Sequence, residues 1–121
     1  MTGPSAAGVA TVQLLAGDGW ITACALELLQ SGRGVAVLLP GGEQAALFRD
    51  RAGQLYAIGN VDPFTGAGVL ARGLLGSAAG RTYVASPLLK QRFDLASGRC
   101  LDDEGVAVPS YLVWVAQLPV I

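Results

Sequence analysis

Glycine and proline divide this chain into short apolar runs, and that spacing constrains the fold more than any other feature. Gly17-Asp18-Gly19, Ser31-Gly32, Pro40-Gly41-Gly42 and Asp50–Gly53 separate the runs Thr11–Leu15, Trp20–Ala25, Arg33–Leu39, Glu43–Arg49 and Gln54–Ile58. Runs of this length at close spacing, joined by turn residues, predict an antiparallel meander. Leu26–Gln30 has room for one helical turn before Ser31-Gly32 stops it. Further strands are expected at Arg81–Ala85, Arg92–Leu95 and Tyr111–Leu118. The last is apolar on both faces, as a strand covered on two sides would be. Residues 67–80, rich in glycine and alanine and without a clear period, read as a loop or a short extended piece. Residues 1–10 read as a loose tail and 11–121 as one domain, in keeping with a length of 121 residues.

With 52% hydrophobic residues the chain can build a core without disulfides or a structural metal. A net charge of −1 gives no broad electrostatic footprint for nucleic acid. Two cysteines, Cys24 and Cys100, do not make a secreted disulfide framework, which favours free thiols in a reducing cytoplasm. Gly105 to Ile121 is free of charge, but a spanning helix needs about 20 apolar residues. Pro109, Ser110, Gln117 and Pro119 interrupt this run, so a buried strand is the better reading than an anchor. The opening MTGPSAAG lacks the positive segment of a signal peptide. These points lead us to expect a soluble, cytoplasmic chain with no membrane partner.

Chemistry-bearing residues are few, because the chain has no histidine. Ser86 has no histidine to serve as its base, and Lys90 lies four residues on rather than the three of an acyl-enzyme pattern. Asn60 and Asp62, just before Pro63, are expected to stabilise a turn through their own side chains. Cys24 lies in an apolar run and reads as a small core residue. Cys100 closes a hairpin, with packing favoured over redox chemistry. Asp102-Asp103-Glu104 reads as a solvated loop. The glycines form neither a phosphate loop with its lysine nor a dinucleotide fingerprint. No catalytic residue, nucleotide site or metal ligand emerges.

The stretch Ser86–Cys100, SPLLKQRFDLASGRC, starts as a loop leaving a strand at Pro87. It ends as a hairpin in which Phe93 and Leu95 alternate with Arg92 and Asp94 and Ser97-Gly98 turns the chain. It resembles the second cluster-binding box of Rieske ferredoxin domains, Cys-Pro-x-His-Gly followed by the same hairpin. Asn60-Val-Asp62 stands where those domains carry the first box, Cys-x-His. A Rieske centre takes two thiolates on one iron and two imidazoles on the other. Here the ligand positions hold Asn60, Asp62, Ser86 and Leu89. Oxygen and amide donors are hard and poorly matched to an iron–sulfur core, and leucine has no lone pair.

More narrowly, YAIGNVDPFTGAGVLARG and VASPLLKQRFDLASGRCLDDEGVAVPSY are similar to the small subunits of assimilatory NAD(P)H-dependent nitrite reductases, which are Rieske-like domains without the ligands. The resemblance spans roughly Trp20 to Tyr111. It implies an all-β, Rieske-like (ISP-type) antiparallel sandwich or barrel with a small loop subdomain at a vestigial cluster tip. It also implies a cofactor-free subunit of an oxidoreductase that reduces nitrite to ammonium in nitrogen assimilation. The partner would be a large sirohaem flavoprotein subunit carrying FAD, sirohaem, an iron–sulfur cluster and the NAD(P)H site. The competing readings are a ferredoxin-type carrier with atypical or shared 2Fe-2S ligands, and a stand-alone interaction module. On the resemblance, the tip would present Pro63, Phe64 and Leu88 with Lys90 and Arg92 as a basic rim for docking. Leu89 either joins that surface or folds inward.

Overall fold

The computed structural model describes residues 9–118, with ten strands in three antiparallel sheets. The first sheet holds β1 (Val9–Ala16), β2 (Gly19–Ala25) and β10 (Val113–Leu118), in the order β10-β1-β2. β3 (Val35–Leu38), β4 (Gln44–Arg49), β5 (Leu55–Gly59) and β9 (Ser110–Tyr111) form the second, in that order. β6 (Leu74–Ala78), β7 (Arg81–Ala85) and β8 (Arg92–Asp94) form the third. Leu26–Leu28 and Leu70–Arg72 each make one 3-10 turn. The expected all-β antiparallel class holds.

β4 explains how three sheets become one body. Ala45, Ala46, Leu47 and Phe48 are all fully buried. Because successive strand residues point to opposite faces, this run serves two cores. Ala46 and Phe48 join Ile58, Val84, Phe93 and Leu95, between the second and third sheets. Ala45 and Leu47 join Val12, Leu14 and Leu39, between the first and second. The strand covered on both sides is therefore β4, not the last one. Tyr111–Leu118 is divided at Leu112 into β9 and β10, and β10 is a sheet edge whose Trp114 is 51% exposed. An apolar run alone does not distinguish burial on two faces from exposure at an edge.

Two further expectations change. β1 starts at Val9, inside the expected tail, because Val9 and Ala10 pair with Leu118 and Gln117; residues 1–8 lie outside the described residues. The segment 67–80 is not merely a loop, since Leu74–Ala78 pairs along its whole length with Arg81–Ala85. Ala79 and Gly80 join them, both with positive φ (51° and 78°), the backbone that a two-residue hairpin turn matching the strand twist demands. Gly76 hides the strand from sequence patterns. A Cβ there would come within 2.6 Å of the Tyr83 ring on the neighbouring strand, so the weak strand former is required by packing.

Candidate functional site

Two loops meet at the end of the molecule where β5 and β7 finish. The first leaves β5 at Gly59 and runs through Asn60-Val61-Asp62-Pro63-Phe64. The second leaves β7 at Ala85 and runs through Ser86-Pro87-Leu88-Leu89-Lys90. The structure brings together the residues singled out from the sequence: Asn60, Asp62 and Ser86 are all buried, at 1%, 0% and 0% exposure.

Each of them is fully engaged within the protein. Ser86 Oγ donates to Asp62 Oδ2 at 2.6 Å and accepts the Leu88 N–H at 3.3 Å. Asp62 Oδ1 accepts the Phe64 N–H at 2.8 Å, the local turn expected of an acidic residue before proline. Asn60 behaves differently from a turn residue. Its Nδ2 donates to Gln44 Oε1 at 2.9 Å, and its Oδ1 accepts the Ala71 N–H at 2.7 Å, tying β4 and the 3-10 turn to the first loop. Main-chain bonds tighten the loops further, with Gly66 N–H donating to the Asp62 carbonyl and Lys90 N–H to that of Ser86.

The tip differs from expectation at two side chains, Phe64 and Arg92, while of the two readings open for Leu89 the exposed one holds. Phe64 turns inward, half-buried, with its ring 6.3 Å from that of Phe93. Arg92 is not a free rim cation. Its guanidinium pairs with Asp102 at 2.7 Å and lies over the Tyr83 ring. This hydrogen bond holds the Asp102 carboxyl below the usual carboxylate range and raises Arg92 further. Leu89 faces solvent at 55% exposure, beside Leu88 at 49%. Pro63 and Lys90 are exposed as expected. Lys90 stands where the Rieske pattern has glycine, and it keeps a glycine-like φ of 70°.

Sequence reasoning missed two residues that hold this end together. Gln44 receives Asn60 through both its side chain and its carbonyl. Asp94, only 1% exposed, accepts the Ser97 N–H and hydroxyl and pairs with Arg81 at 3.3 Å, fixing the hairpin turn. The signal for Asp94 was its place three residues before serine, the spacing of a carboxylate that closes a turn. Nothing local in the sequence marks Gln44, whose partner lies 16 residues away.

A [2Fe-2S] cluster does not fit these residues. Leu89 offers no lone pair and points to solvent, and the Asn60, Asp62 and Ser86 polar atoms are already used. Among the described residues, no group of three or more His, Cys, Asp and Glu side chains is placed to hold a metal ion. Cys24 packs beside one core and Cys100 within the other, both as free thiols. Burial pushes the Cys24 thiol up. No helix of the described residues is long and apolar enough to cross a membrane.

Three antiparallel sheets with two facing box loops define a Rieske-type domain, and residues 19–121 match the family model of the Rieske-like [2Fe-2S] domain. The nitrite reductase (NADH) small subunit of Salmonella typhimurium is 46% identical over 93 residues, covering 76% of this chain and 85% of that one. A crystal structure from Mycobacterium tuberculosis, provisionally described as an NADH-dependent nitrite reductase small subunit, superposes with a TM-score of 0.76 at 50% identity. It covers 84% of this chain and 97% of that one. The chain belongs to the family of NAD(P)H nitrite reductase small subunits, subunits of an oxidoreductase, and carries Asn60, Asp62, Ser86 and Leu89 in its two box loops. A chain from Klebsiella oxytoca named nitrite reductase [NAD(P)H] large subunit is 43% identical over 96 residues. That match covers 79% of this chain but 10% of the Klebsiella one.

Proposed function

We propose that this chain is the cofactor-free small subunit of an assimilatory nitrite reductase and performs no chemical step itself. It acts in the cytoplasm, held against a large subunit that carries FAD, sirohaem, an iron–sulfur cluster and the NAD(P)H site. There it supports assembly of the complex or the geometry of the electron path along which nitrite becomes ammonium. The observation that carries this reading is the 2.6 Å hydrogen bond from Ser86 to Asp62. It joins two positions that a cluster would occupy and leaves neither as a free ligand. The exposed tip, Pro63, Leu88, Leu89 and Lys90, serves as one contact with the partner. Phe64 and Arg92 contribute by stiffening the loops behind it.

Iron and acid-labile sulfide analysis of anaerobically purified protein, with a visible spectrum, tests the proposal. A folded, colourless sample without stoichiometric iron is the expected result. A brown sample with stoichiometric iron and sulfide would overturn it in favour of a ferredoxin-type carrier, with Cys24 and Cys100 of two chains as the first ligands to replace.

A further inference from the structure

Among the described residues, the first sheet carries an outer face that no other element covers. None of its three strands, VATVQLLA, GWITACA and VWVAQL, contains a charged residue. Val12 and Leu14 of β1 point into the core, so Gln13 and Leu15 point the other way. Register places Trp114 and Thr22 on either side of Gln13, and Trp20 beside Leu15. The two tryptophans meet across the central strand with ring centroids 5.7 Å apart, yet they are 48% and 51% exposed. Leu112, at 66%, lies at the same end, its carbonyl accepting the Leu15 N–H.

This face is already organised. Trp114 Nε1 donates to Gln13 Oε1 at 3.1 Å, and Gln13 Nε2 donates to Thr22 Oγ1 at 3.2 Å. The one polar atom of the Trp114 ring is thus satisfied within the face, leaving the ring as apolar contact area. Rings fixed in this way lose little freedom on binding, and buried tryptophans commonly dominate interface energetics. An uncharged aromatic patch of this kind on a solvent-facing sheet marks an interaction surface.

We infer that the Trp20–Trp114 face is the principal docking surface for the large subunit, meeting an uncharged apolar surface on that partner. The inference rests on the small-subunit reading above and adds where the contact lies. The Klebsiella chain supplies the occupant. There a domain 43% identical to this one is part of a polypeptide named as the large subunit. Tethering alone keeps such a domain near its neighbour at effective concentrations of about millimolar. A separate chain lacks the tether and must hold the same neighbour by surface affinity, which is the task of a preorganised apolar face.

The test titrates purified large subunit against wild type, Trp20→Lys, Trp114→Glu, Trp114→Lys, Leu112→Glu and the tip variant Leu88→Glu/Leu89→Glu. Each variant is first checked for wild-type circular dichroism and melting. If a tryptophan variant does not fold, Leu112→Glu, altered at a more exposed position, carries the test. Affinity should fall by about tenfold or more for the face variants, as for interface anchors, and alike for both charge signs at position 114, because the loss is of apolar burial. Wild-type binding by the folded face variants would overturn the inference while the small-subunit reading stood. Failure of the wild type itself to bind would overturn that reading and this one with it. Self-association of the wild type, abolished by the tryptophan variants with large-subunit binding unchanged, would overturn it too and give the face to a second copy.

Discussion

Ser86 Oγ and Asp62 Oδ2 lie 2.6 Å apart across 24 residues of sequence, both in residues with no solvent exposure. In a ligand-bearing Rieske domain a metal cluster would bridge these loops. Here the loops bridge each other, through a donor and an acceptor that each also receive a backbone N–H. A hydrogen bond of this kind needs neither metal nor a particular redox state, so the tip can form without cluster insertion.

Ser86→Ala removes the donor and leaves a buried carboxyl oxygen short of its partner. The expected cost is about 1–3 kcal/mol in urea unfolding, since an unsatisfied buried group loses its full desolvation compensation. Prolonged treatment of the wild type with an iron chelator should leave the melting midpoint unchanged. A chelator-dependent loss of stability would mean that metal, not Ser86, joins the loops.

Lys90 keeps a φ of 70° where the related pattern has glycine. An L side chain in the left-handed region is strained by roughly 1–2 kcal/mol, partly offset by the backbone entropy that glycine would lose. Lys90→Gly should therefore raise stability by about 0.5–1 kcal/mol, whereas the β-branched Lys90→Val should lower it. Thermal melting of both variants checks the sign. A destabilised glycine variant would show that the lysine side chain contributes more than its backbone costs.

Part of this was legible in the sequence because it is decided locally. The turn at Asp62 and the hairpin from Phe93 follow from neighbours within a few positions. The residues misread were those decided by distant neighbours. Phe64 looked like a tip residue until Phe93 supplied an aromatic partner, and Arg92 looked free until Asp102 folded back beside it. β6 is ambiguous in the sequence for the same reason, reading as a loop or a short extended piece, since Leu-Leu-Gly-Ser-Ala has little strand character until β7 pairs with it. The double coverage assigned to the last strand belongs to β4, whose two cores are visible only once all three sheets are stacked.

Gly76 puts that lesson in testable form. A methyl group there would fall 2.6 Å from the Tyr83 ring. Gly76→Ala, a favourable change in an ordinary strand, should instead cost about 1–3 kcal/mol through overpacking. Tyr83→Ala in the same background should recover part of that loss relative to Tyr83→Ala alone. A double-mutant cycle in chemical denaturation separates the two effects, and additive losses would place the cost elsewhere.

The Arg92–Asp102 pair gives the second loop a pH dependence whose sign follows from its geometry. Asp102 accepts both the Arg92 guanidinium and the Arg92 N–H, and this holds its carboxyl below its ordinary value of 3.8. A lowered folded-state pKa stabilises the protein above the unfolded value and ceases to do so as pH falls through the folded one. Arg92, raised from an already high value, stays charged throughout. Asp102→Asn should thus be less stable than wild type at pH 7, and the gap should close as pH falls below the ordinary carboxylate range. Both side chains are about one-third exposed, at 38% and 36%, so salt should also shrink the gap. Denaturation curves of the two proteins at pH 7 and pH 2.5, with and without added salt, make the comparison. A gap that persists at low pH would mean that Asp102 acts through the shape of its hydrogen bonds rather than through its charge.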